Sequence, residues 1–143
     1  MQIKTVIQQE SSGCGIACTA MLAGKSYEEV KQKANQLGIF AEDKKLWSET
    51  DYVRRLLNEY EIQASNKETP FTTWDTLPNL ALLAIKFRFE KDRPFWHWTV
   101  FQRTKGKKRV HDPASYLEKN EREDFEEMTP KWFIEIKETR FQI

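Results

Sequence analysis

The stretch Gln8-Gln9-Glu10-Ser11-Ser12-Gly13-Cys14-Gly15-Ile16-Ala17-Cys18-Thr19-Ala20-Met21-Leu22 decides how the rest of the chain is read. After Cys14 the apolar residues Ile16, Ala17, Ala20 and Met21 recur at helical spacing, and Gly24 ends the run. This predicts a short buried helix with Cys14 in its first turn. Unpaired backbone N–H groups and the positive end of the helix dipole stabilise a thiolate at that position. Gly13 and Gly15 would leave room for a substrate backbone beside the sulfur. The plainer reading makes both cysteines small core residues, and Cys18, one turn further on, fits it well. Two cysteines of one helix do not readily meet disulfide geometry. A zinc site drawn from Cys14, Cys18 and the two histidines has no second Cys pair to complete it, so neither a metal nor another cofactor is expected.

A nucleophilic cysteine needs a base, and the chain has two histidines, His97 and His111. Residues 95–103 are aromatic and β-branched and read as a strand. Lys105-Gly106-Lys107-Lys108 is a hairpin turn, and residues 109–112 are the return strand, stopped by Pro113. The hairpin sets the start of one strand beside the end of the other, so His97 is expected next to Asp112. A carboxylate would then hold one ring nitrogen and leave the other for a thiol. His111 adjoins Asp112 in sequence, so its side chain should point to the opposite face of the sheet. The bland alternative for His97 is a space-filling residue among Phe95, Trp96 and Trp98. Gln8, six residues before Cys14, could supply a side-chain amide to an oxyanion, or could be plain polar surface.

Further out, Ser26-Tyr27-Glu28-Glu29 reads as a capping box opening a helix over residues 27–37, with Gly38 behind it. Residues 39–46 are connecting chain. A third helix opens at Ser48-Glu49-Thr50-Asp51 and carries Tyr52, Val53, Leu56, Leu57 and Tyr60 on one face. Residues 64–70 are turn-like, and one helical turn is expected within 73–77. Residues 80–89 start as a continuous apolar run and then alternate, as a buried central strand does when it emerges at an edge. A loop is expected over 90–94, a weakly helical charged stretch over 116–128, and a last strand over 132–137. The whole is α+β, with N-terminal helices packed on a C-terminal antiparallel sheet of about four strands. With 143 residues and no dividing linker, one domain over 1–143 is expected.

Composition narrows the partners. Twenty-three basic and 22 acidic side chains leave a net charge of +1, which gives no reason to expect nucleic acid or an anionic membrane as partner. No apolar run is long enough for membrane insertion, and the N-terminus lacks the apolar core of a secretory signal. The expected location is the cytoplasm, with export by another route left open.

Taken together, these residues resemble a known family. Gln8, Cys14-Gly15-Ile16-Ala17 and Ala20-Met21-Leu22 are similar to the nucleophile region of the double-glycine leader peptidases, papain-like cysteine peptidases that process bacteriocins and often precede ABC exporters. Leu82-Leu83-Ala84-Ile85, His97-Trp98-Thr99-Val100, Asp112-Pro113-Ala114 and Trp132-Phe133-Ile134 resemble its later strands, in order, across nearly the whole chain. The resemblance implies a papain-like fold, with Cys14 as nucleophile, His97 as base, Asp112 orienting it and Gln8 as oxyanion donor. It implies a peptide or protein substrate and an association with an exporter or secretion system. The family's usual acidic residue before the cysteine is Gly13 here. No transporter segment follows, so a stand-alone peptidase is expected, with Trp96 and Trp98 walling its groove. Two rivals keep the fold: a deamidase or transamidase (an effector toxin, for instance) using the same site, and a non-catalytic binding module.

Overall fold

The structure is a computed structural model, which describes residues 2–138. Among these residues three helices come first: α1 (Cys14–Ala23), α2 (Tyr27–Gln36) and α3 (Asp51–Glu59). Seven strands follow: β1 (Gln63–Ala64), β2 (Thr69–Pro70), β3 (Leu80–Glu90), β4 (Arg93–Thr104), β5 (Lys107–His111), β6 (Glu121–Arg122) and β7 (Trp132–Glu138). They form an antiparallel sheet in the order β1-β7-β3-β4-β5-β6, with β2 also paired to β7. The α+β class expected from the sequence is therefore the observed one.

Every residue of α1 is buried, because the helix lies between the other helices and the sheet. Helix α2 starts where the Ser26 hydroxyl accepts from the Glu29 N–H at 3.1 Å. The expected return bond from Glu29 is replaced by an approach of its carboxylate to Lys25, at 3.9 Å.

The apolar run of β3 has a simple cause: both faces of the sheet are covered. Leu82 and Ala84 join the core under the helices with Trp96, Trp98, Val100 and Ile134. Ala81, Leu83 and Ile85 join a second core with Phe101, Val110 and Met128, closed by Phe71, Trp74 and Phe125. Strand β3 sits between β7 and β4, which makes it central, and it becomes exposed from Arg88 onward.

Four local expectations are corrected. Residues 90–94 are no loop: β3 runs directly into β4 through a tight turn at Lys91-Asp92, both left-handed with φ of 51° and 65°. Residues 116–128 hold no α-helix but the short strand β6 and a 3-10 turn, Phe125–Glu127, because the apolar side chains are too few to bury a helical stripe. The chain at 39–46 includes the start of a 3-10 turn, Lys44–Ser48. Residues 64–70 contribute β2 and part of β1, which pair with the side of β7 away from β3.

Candidate active site

Strand β5 pairs with β4 only as far as Val100 opposite His111. Beyond that point Pro113 cannot donate to a ladder, and β5 leaves. Two residues back along the same edge of β4, the Trp98 N–H has no strand partner there. It donates instead to Cys14 Sγ at 3.4 Å. The first turn of α1 thus occupies the gap that β5 vacates. Gly13 caps α1 without any side-chain bond, which leaves the amide groups around Cys14 uncovered by a capping side chain.

His97 and Asp112 lie on the same face, offset by one step across the hairpin. The His97 Nε2–H donates to Asp112 Oδ1 at 2.6 Å. That leaves Nδ1 free of the carboxylate, and Cys14 is, beside Asp112, the neighbour that acts on the ring. Burial alone would lower the His97 pKa, but the Asp112 carboxylate bonded to the ring and the nearby Cys14 outweigh it and raise the ring to about 10. Burial likewise pushes the Asp112 carboxyl up, and the His97 ring, the Ala114 N–H and Arg122 together bring it down to about 2. The site is therefore built to hold an imidazolium against a carboxylate.

Asp112 is more elaborately supported than the sequence suggested. Its Oδ2 accepts from Arg122 Nη1 at 2.9 Å and its Oδ1 from the Ala114 N–H at 3.0 Å. Arg122 is itself fixed by Asp124, at 2.7 Å and 3.0 Å. Asn120 donates to the carbonyls of Asp112 and Ala114, locking the turn through Pro113. Sequence reasoning missed Arg122, Asp124 and Asn120. The one signal for the first two is the alternation Arg122-Glu123-Asp124, which puts two opposite charges on one side only if the segment is extended.

Gln8 arrives on the N-terminal segment, whose backbone N–H bonds the Pro113 carbonyl at 2.9 Å. Its Nε2 donates to the carbonyls of Glu10 at 2.9 Å and Ser11 at 3.0 Å, while Oε1 is buried with no partner among the described residues. Both amide hydrogens are thus spent on the loop before Cys14.

Three groove residues named from sequence are corrected. Gly13 and Gly15 are buried, and a Cβ on them would overlap Tyr27 Oη and the Tyr52 ring respectively. Their missing side chains admit tyrosines of α2 and α3, not substrate. Trp98 is fully buried behind α1 and touches the site through its backbone only. Trp96 alone of the four lines the open cleft at His97. This cleft has a volume of about 500 Å³ and is bounded also by Gln8, Trp47, Lys86 and Tyr116. A larger hollow of about 700 Å³ lies among the helices around Gln32, Gln36 and Tyr60, and no cysteine or histidine lines it. Chemistry, not volume, picks the cleft.

The remaining candidates fall away from it. His111 is buried and its Nδ1 bonds Thr5 Oγ1 at 2.8 Å. Burial pushes the Cys18 thiol well up, helped by Cys14 and Asp112, so Cys18 is an inert core residue. No cluster of potential metal ligands occurs among the described residues.

A family model described as Peptidase C39 family matches residues 2–139. The chain belongs to the Peptidase C39 family. No curated protein and no solved structure matched it. C39 membership implies a cysteine peptidase, in agreement with the resemblance found in the sequence. None of the helices among the described residues is long and apolar enough to cross a membrane.

Proposed function

We propose that this chain is one papain-like domain that hydrolyses peptide amide bonds through Cys14, His97 and Asp112. The observation that carries the reading is the 2.6 Å bond from His97 to Asp112, with the free ring nitrogen left to Cys14 at the start of α1. The Cys14 thiolate attacks the amide carbonyl. The oxyanion rests on the Cys14 backbone N–H and on Gln8, whose amide turns from the Ser11 carbonyl to reach it. His97 protonates the leaving amine, then takes a proton from the water that cleaves the thioester. Asp112 keeps the ring oriented throughout. Cys14 is only 1% exposed, so the cleft wall gives way as the carbonyl enters. A peptide or protein substrate follows from this chemistry. Action on a substrate of an exporter or secretion system, from the cytoplasmic side, follows from the resemblance alone.

Iodoacetamide labelling of Cys14 at pH 6 tests the reading. Labelling in the wild type should be fast and should slow by about tenfold or more in His97→Ala, which loses the imidazolium. Equal rates in the two proteins would remove the ion pair and the mechanism with it. A peptide library scored for new N-termini tests the reaction. Release of ammonia without chain cleavage would replace peptidase by side-chain amidase.

A further inference from the structure

The cleft at His97 differs in charge from the molecule around it. The chain carries 23 basic and 22 acidic side chains, so no general excess of positive charge exists to be sampled. Yet the residues lining the cleft include Lys86 and Arg88 and no carboxylate. Lys86 has no salt bridge among the described residues; its ammonium lies 4.9 Å from the centre of the Tyr116 ring and bonds Tyr116 Oη. Arg88 is partly engaged, through Nε to Glu90 and over the Phe95 ring at 5.6 Å. The walls are aromatic: Trp47, Trp96 and Tyr116.

Lys86 is held in the cleft by an unusual backbone. Two β3 residues, Lys86 and Phe87, face Trp96 of β4, and Lys86 is left-handed with φ of 56°. A long side chain adopts that conformation at a cost, and a position so constrained is often functional. The bulge sends Phe87 into the core and leaves Lys86 half-buried on the cleft.

We propose that this cleft selects peptides with an acidic side chain next to the scissile bond, taken by Lys86 with Arg88 assisting. Trp47, Trp96 and Tyr116 pack against the apolar part of that residue and its neighbour. The inference rests on the peptidase reading of Cys14 and His97 and names the class of substrate for that site.

Two matched probes test it: the amide of N-iodoacetyl-glutamate and that of its glutamine isostere, with iodoacetamide as the control. The rate of modification at Cys14 is mapped by peptide mass spectrometry. In the wild type the glutamate probe should react about fivefold faster than the glutamine probe, the range of a partly exposed charge pair. The ratio should fall with added salt. It should approach unity in Lys86→Gln, invert in Lys86→Glu and drop partway in Arg88→Gln. Because each ratio is taken within one protein, a change in overall reactivity does not disturb it. If iodoacetamide labels Cys14 but the two probes react alike, the cleft proposal fails and the peptidase reading stands. A glutamate preference that survives both Lys86 substitutions also overturns it. If Cys14 is inert to iodoacetamide and to both probes, the catalytic reading falls and this proposal with it.

Discussion

Gly13 and Gly15 flank the nucleophile, yet each is required by a tyrosine behind it. Gly13→Ala should cost about 1–3 kcal/mol through overpacking against Tyr27 Oη. Removing that hydroxyl should recover part of the loss, so the Gly13→Ala/Tyr27→Phe pair should melt above Gly13→Ala alone. Gly15→Ala should not be rescued by Tyr52→Phe, because ring carbons of Tyr52 would still overlap the new methyl. Thermal melts of the four variants decide this. Arg122 also has a role that is local and strong. Its side chain is 10% exposed and that of Asp112 is fully buried. Arg122→Gln leaves a buried carboxylate with one partner fewer and should destabilise the fold by about 3 kcal/mol. Asp112→Asn should lower turnover by roughly 10³–10⁴-fold, because the ring loses its preferred tautomer.

At the scale of the element, the bulge in β3 sets which side chains face which way. Up to Ala84 the even-numbered residues of β3 face the core under the helices; beyond the bulge Phe87 does so. Deleting Lys86 restores regular pairing and leaves Phe87 on the same face. Stability should then stay within about 1 kcal/mol of wild type, because relief of the left-handed backbone offsets the loss of Lys86 from its place beside Tyr116. Deleting Phe87 instead puts Lys86 among Trp96 and Trp132, in place of the ring that packs against both. That deletion should cost about 3 kcal/mol or more. Urea unfolding of both proteins separates the two outcomes. Helix α2 matters to the site because it carries Tyr27 and Lys31, which hold the two carboxylate oxygens of Glu10 in the loop before Cys14. Ser26→Ala, which removes its cap, should cost about 1 kcal/mol.

At the scale of the whole molecule, the His97–Asp112 pair ties stability to pH in two directions. The folded Asp112 carboxyl titrates at about 2, below its ordinary 3.8. Between those values the unfolded chain binds more protons, so stability rises with pH there and is lost as pH falls through about 2. The shift corresponds to about 2 kcal/mol for this buried group. His97 titrates at about 10 when folded against 6.5 ordinarily. Its contribution is complete below about 6.5 and is lost as pH rises through about 10. The full contribution of the pair is thus confined to roughly pH 4–6.5. Measured against wild type by urea unfolding, Asp112→Asn should show its largest deficit in that window and a smaller one near pH 2.

The sequence by itself determined the helices, the central apolar strand and the pairing of His97 with Asp112. These depend on local periodicity and on a hairpin whose turn is written in Lys105-Gly106, so neighbours in sequence are enough to fix them. It also set His111 aside, because adjacent strand residues must point to opposite faces. Tertiary structure alone decided what the glycines beside Cys14 are for, since Tyr27 and Tyr52 reach them from other helices. It alone brought Arg122 onto Asp112, because a two-residue strand has no period to read. It alone took Trp98 out of the cleft, because α1 packs over that part of β4, and it alone set Lys86 on it: a one-residue bulge in β3 reverses the alternation there, and its position depends on what each face must pack against.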